Sequence, residues 1–183
     1  MTTSLHIKSE NELHFLTFTI IGWIDIFTNK NFKDIIIENL TYCRKEKGLL
    51  VYAFVIMSNH IHLIARAKEG FKLSGIVRDF KKFTSKKLFD SLKKSNDPRR
   101  IWMKGLFLES GEKNQNNTYI QLWQQHNHPI EIYSNKVIDQ KMEYIHNNPV
   151  KASIVQNPED YLYSSARNYS GLNAVMEIEM IDG

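Results

Sequence analysis

Val51 to Arg66, VYAFVIMSNHIHLIAR, constrains the fold of this chain more than any other stretch. Two runs rich in β-branched and aromatic residues are separated only by Met57, Ser58 and Asn59. So short a link joins neighbouring antiparallel strands, because a parallel pair needs a long crossover. Side chains alternate along a strand, so His60 and His62 share one face while Ile61 turns toward a core. A rigid strand can therefore offer two imidazoles to one divalent cation. A second pair, His126 and His128, flanks Asn127 and precedes Pro129, and is read as a loop with a structural role.

Taken in order, residues 1 to 12 form a polar lead-in. His14 to Trp23 reads as a strand, with Thr17 and Thr19 alternating against Phe18 and Ile20. Phe32, Ile35, Ile36, Asn39, Leu40 and Cys43 recur at helical spacing up to about Lys47, before Gly48. The paired strands at 49 to 57 and 60 to 67 follow. A long helix from Leu73 to Lys93 then buries Ile76, Val77, Phe80, Phe83, Thr84, Leu88 and Leu92. Met103 to Thr118 has no clear pattern, and its end, SGEKNQNNT, reads as an exposed loop. Tyr119 to Gln125 is expected to be a fourth strand. A last helix from Asn135 to Asn147 should end at Pro149, since the residue before proline avoids the helical region. The tail from Val150 should wrap the domain with one short helix. This order predicts a single α+β domain of ferredoxin-like type, an antiparallel sheet with helices on one face.

Composition bounds the setting. The chain has 183 residues, enough for one core. No apolar run approaches the ~20 residues of a membrane span, and the N-terminus lacks a signal-peptide layout. One cysteine, Cys43, allows no internal disulfide, which fits a cytoplasmic setting. Charge is unevenly placed: thirteen Lys/Arg face four acids between Arg66 and Lys104. That segment is +9 and leaves the remainder at −5, within an overall +4. Such a basic stripe suits a polyanionic partner.

The late helix adds chemistry to the histidines. In KMEYIHNNPVKA, Tyr144 and Asn148 are four residues apart and share a helical face. A phenol and an amide oxygen, set beside two imidazoles, supply a nucleophile and three ligands for Mg²⁺ or Mn²⁺. Tyr144 would attack a phosphate through its phenolic oxygen, with Lys141 and Lys151 available to help it lose its proton.

MSNHIHLI is similar to the histidine-hydrophobe-histidine motif of HUH endonucleases. EYIHNNPVKAS together with PEDYLYSSARNY resembles the C-terminal signature of single-tyrosine transposases, REP-associated branch, and the resemblance spans about residues 10 to 170. It implies a metal-dependent transposase that nicks single-stranded DNA beside a hairpin. The products would be a 5′-phosphotyrosine and a free 3′-OH, and rejoining to another 3′-OH would complete strand transfer. Carried across, His60 and His62 are metal ligands and Tyr144 is the nucleophile. Asn148 is the third ligand, with helix capping, a water or Glu143 as alternatives. DNA contacts are expected from Arg78, Lys81, Lys82, Lys86 and Lys87, with Arg99 and Arg100 beyond them. Trp102 or Trp123 is expected either to stack on an unpaired base or to sit in the core. Tyr161, Tyr163 and Tyr169 are read as packing residues, and His146 as surface or packing. Relatives of this kind act as monomers or homodimers. The rival readings are a nucleic-acid-binding module without strand transfer, and a structural metal site with four saturating ligands.

Overall fold

The computed structural model describes residues 7, 9–114, 119–125 and 129–181. Most of the expected lead-in, the end of the polar run at 115–118, and both His126 and His128 lie outside the described residues. Four antiparallel strands form one sheet in the order β2-β3-β1-β4. These are β1 His14–Thr19, β2 Leu49–Ile56, β3 His60–Ala67 and β4 Ile130–Glu131. The expected pairing of β2 with β3 is present, from Leu49 opposite Ala67 to Ile56 opposite Ile61. One bulge at Tyr52 shifts the register.

Alternation gives the sheet two different faces. Phe18 of β1 packs on Phe80 of the long helix, so the Phe18 side lies against the helical layer. That layer holds α1 (Lys30–Glu46) and α2 (Leu73–Lys94) packed on each other. Ile61, Leu63, Phe54 and Ile56 are buried with it. The α+β class and the antiparallel sheet are as the sequence predicts. Beyond that, α4 (Asn135–Lys151) crosses the other face, where His62 meets Tyr144.

The departures have physical causes. On α2 the buried stripe runs Ile76, Phe80, Thr84, Leu88 and Leu92. At 100° per residue each i, i+4 step drifts by about 40° around the helix. Phe83 therefore leaves the stripe and is 51% exposed, whereas Phe89 enters it. The same drift carries Lys81 to the buried flank, where its amine donates to the Gln124 carbonyl at 2.7 Å.

An unforeseen helix, α3 (Arg100–Glu112), buries Met103, Phe107 and Gly111. A Cβ on Gly111 would sit 2.6 Å from the Tyr119 carbonyl oxygen, so glycine permits the close approach of the returning chain.

Tyr119 to Gln125 is not a strand. It runs beside the end of β1 with a single bridge, Trp123 to Ile20, and the fourth strand is the two-residue β4 beside the start of β1. Pro149 does not end α4, which continues to Lys151 with Ala152 as its C-cap. The proline lacks an N–H for the Ile145 carbonyl. It is buried, and the Ala152 N–H still reaches the Asn148 carbonyl at 3.0 Å. Asn148 thus lies inside the last turn rather than capping it.

The tail does wrap the domain, with one short helix, α5 (Ala166–Tyr169). It also closes the free edge of β2: the Ile56 N–H donates to the Tyr163 carbonyl, and the Ser165 N–H to the Phe54 carbonyl. An edge that could template aggregation is thereby covered.

Candidate active site

The register of β1 on β3 places Thr17 opposite His62 and Thr19 opposite His60. Thr17 Oγ1 shares a hydrogen bond of 2.9 Å with His62 Nδ1. Next to the other ring, Asn59 Oδ1 lies 2.6 Å from His60 Nδ1. The Asn59 amide nitrogen donates to the Trp23 carbonyl at 3.1 Å, which fixes the oxygen toward His60. His60 Nδ1 is then the protonated nitrogen, and its Nε2 lone pair is free to bind.

The two rings stand 4.7 Å apart between centroids. Phe15 stacks on His62 at 5.1 Å. His62 Nε2 is buried with no hydrogen-bond partner among the described residues. Burial, with His60 and Lys141 adding repulsion, pushes His62 down to about 3. Burial also lowers His60. Both imidazoles are therefore neutral at ordinary pH, the form that binds a metal.

Helix α4 is started by the Ser134 side chain, which accepts the Val137 N–H, and is anchored by buried Ile145. This anchoring sets Tyr144 over the sheet. Its ring meets His62 at 5.2 Å and Phe15 at 5.9 Å. Tyr144 stays 42% exposed, and its hydroxyl makes no hydrogen bond among the described residues. Two cations flank it, with Lys151 Nζ 5.8 Å from the Tyr144 ring centre and Lys141 Nζ 4.8 Å from that of Phe15. Asn148 lies one turn beyond Tyr144, half-buried, and makes no side-chain hydrogen bond among the described residues. Among those residues no group of three or more His, Cys, Asp or Glu could hold a metal.

Tyr161, Tyr163 and Tyr169 are engaged elsewhere, whereas Tyr119 and Tyr133 are exposed and precede α4. Tyr161 donates to the Ile56 carbonyl at 2.7 Å, Tyr163 to Asp34 Oδ1 at 2.7 Å, and Tyr169 to the Tyr52 carbonyl at 3.0 Å. These hydroxyls latch the tail to β2 and α1. His146 does the same work from α4: its Nε2 pairs with Ser165 Oγ at 2.8 Å, and burial pushes it down to about 4.

The cations expected to meet DNA are not equivalent. Arg78, Lys82, Lys86, Lys87 and Arg100 are exposed, with Arg78 paired to neighbouring Asp79 and Lys87 4.0 Å from Glu38. Arg99 is held by Asp97 and Asp25, which raises its pKa further. Those on α2 stand on the layer away from the histidines. Trp123 is buried, with its indole N–H on Thr84 Oγ1 at 2.9 Å, while Trp102 is exposed.

Sequence reasoning passed over Phe15, Thr17 and Asn59. The alternation of Thr17 with its neighbours was visible, but its partner follows only from cross-strand register. Asn59, directly before His60, could have been marked as a ring-orienting side chain.

No curated protein matches the chain. Among solved structures, a REP-associated tyrosine transposase bound to a REP hairpin is similar, with a TM-score of 0.65 at 17% identity. That alignment covers 100% of this chain and 94% of the other, so it includes α4 as well as the sheet. A protein of Deinococcus radiodurans R1 described as a candidate transposase gives a TM-score of 0.45 at 16% identity, over 80% of this chain and 97% of that one. At such identities the likeness is one of fold. Residues 13–122, more than half of the sequence and including His60 and His62, match the family described as Transposase IS200 like, and the chain belongs to that family.

Proposed function

We propose that the protein is a metal-dependent single-strand DNA nickase and strand transferase, with Tyr144 as nucleophile and a hairpin-bearing DNA as substrate. One observation carries this reading. Tyr144, whose hydroxyl is unbonded among the described residues while those of Tyr161, Tyr163 and Tyr169 are latched, rests on a histidine whose buried Nε2 has no partner among the described residues. The similar structure with a hairpin bound supports the choice of DNA.

The residues present fit a divalent cation. His60 and His62 each have Nδ1 engaged and a neutral ring, which leaves Nε2 for a metal, while the Asn148 amide oxygen, one turn beyond Tyr144 on α4, would be the third ligand. Mg²⁺ or Mn²⁺ held there would act as a Lewis acid on a phosphate oxygen. Tyr144 Oη attacks phosphorus as its proton leaves, and the bond from phosphorus to the 3′ oxygen breaks. That oxygen takes up a proton and departs as a 3′-OH, leaving the 5′ phosphate on the tyrosine. Attack by another 3′-OH reverses the step and releases Tyr144, so no nucleotide cofactor is consumed. Lys141 and Lys151 favour the negative charge that gathers on the phenol and phosphate. Because Tyr144 rests on the histidine of its own chain, one copy can complete the site.

The test is incubation of single-stranded hairpin oligonucleotides with the protein and Mn²⁺, followed by denaturing electrophoresis. The wild type is expected to form a covalent protein–DNA adduct, and Tyr144→Phe to form none while still binding the DNA. Retarded but uncleaved DNA with both proteins would instead identify a binding module.

A further inference from the structure

We propose that Trp23 is a stacking platform for an unpaired base of the DNA strand entering the site, an inference that rests on the nickase reading and names a residue that holds its substrate. Trp23 is 63% exposed, in contrast to the buried Trp123. Its indole makes no hydrogen bond or ring contact among the described residues. Even so, the backbone beneath it is firmly held. The Trp23 N–H donates to the Ile20 carbonyl at 3.1 Å, and its own carbonyl accepts from Asn59 at 3.1 Å. Asn59 in turn bonds the His60 ring. These bonds therefore tie the Trp23 backbone, from which the indole projects, to the loop that orients His60.

The conformation is also unusual. Trp23 has φ of 54° and follows Gly22 at 63°. Left-handed backbone is disfavoured for a bulky side chain, and such strain persists where surrounding contacts impose it. Here the strain throws the largest apolar side chain outward, where it gains nothing from the core. On the other side of the turn, a Cβ on Gly22 would lie 3.1 Å from Leu106 of α3. Trp102, one helical turn before Leu106, is exposed as well, so a second indole flanks the same turn. Exposed aromatic faces hold single strands because every base has a face to stack.

The experiment uses hairpin oligonucleotides whose single-stranded flank carries one abasic unit at each position in turn. Affinity is measured by fluorescence anisotropy in a Tyr144→Phe background, with and without Trp23→Ala or Trp23→Phe. The intact oligonucleotide should bind about tenfold more weakly to Trp23→Ala, and Trp23→Phe should recover most of that loss. One abasic position should cost the Trp23-containing protein the same factor and cost Trp23→Ala nothing more. Trp23→Gly should melt at or above the parent temperature, since it relieves the left-handed strain, yet should bind weakly.

Unchanged affinity in Trp23→Ala would overturn the proposal. So would a loss that leaves every abasic position as costly as before, a lowered melting temperature in Trp23→Gly, or a change in oligomeric mass showing that the indole meets a second copy. Adduct formation is scored separately with Tyr144 intact. Coupling at one base without any adduct would remove the nickase reading and leave the stacking site. Adducts without coupling would remove the stacking site alone.

Discussion

The two faces of the β1–β3 pair are made from interleaved residues of the same strands, yet they serve opposite ends. On one, Phe18, Ile61 and Leu63 are buried with Phe80 against α2, and each adds apolar surface to the core. On the other, Phe15, Thr17, His60 and His62 share the face that α4 crosses, each imidazole with a partner at Nδ1 and, among the described residues, none at Nε2. A strand lets one backbone serve both, since its two-residue period keeps the sets apart. The lesson is that a buried polar residue can be tolerated beside a tightly packed core when its orientation is fixed across the sheet.

The comparison is broken most directly by substitutions one residue apart. His62→Gln removes a ligand that, on this account, contributes several kcal/mol to the transition state, so adduct formation should fall by about a thousandfold. Its stability should change by only about 1 kcal/mol in urea denaturation. Ile61→Ala should show the reverse: a loss of about 2–5 kcal/mol in stability from a cavity in the core, with adduct formation per folded molecule close to wild type. Equal effects on both quantities in both variants would erase the distinction between faces.

Lys81 sharpens the boundary between the core and the exposed basic surface of α2. Its burial pushes the amine down to about 8, although the Gln124 carbonyl accepts from it. Between about 8 and the ordinary 10.5 the unfolded chain binds more protons, so stability rises with pH through that window. Below 8 the cost of burying the charge is present in full. Lys81→Met is expected to gain about 1–3 kcal/mol at pH 7, with the gain shrinking toward pH 10. DNA affinity in this variant should fall less than in Lys82→Met or Lys86→Met, as a gel-shift titration would show.

The smallest effect belongs to the tail. Tyr161→Phe removes one hydroxyl from the Ile56 carbonyl and should cost about 1 kcal/mol in thermal or urea unfolding. Adduct yield should stay at the wild-type level, in contrast to Tyr144→Phe.

Local periodicity made much of this fold readable. The strands around His60 and the i, i+4 stripe of α2 follow from spacing alone, because their side chains report which direction is buried. The failures share a cause. The buried side of α3 is the narrow row Met103, Phe107 and Gly111, and a glycine chosen for close backbone approach carries no hydrophobic signal. Strand β4 has two residues, too few to show a period. Pro149 suggests a stop, but its burial and the hydrogen bonds after it let the last turn form. At the site, the spacing of His60 and His62 and the face of Tyr144 were visible, and the structure brings these three together. Thr17 could not be paired with His62 without register, nor could the sequence say that α4 takes the face opposite α1 and α2.

The central claim is that Tyr144, alone among the tyrosines, is chemically free beside the histidines. It is tested most directly by digesting the covalent protein–DNA complex and locating the nucleotide by mass spectrometry. The account predicts a nucleotide on the peptide containing Tyr144. A nucleotide on Tyr161, Tyr163 or Tyr169, with Tyr144 unmodified, would contradict it.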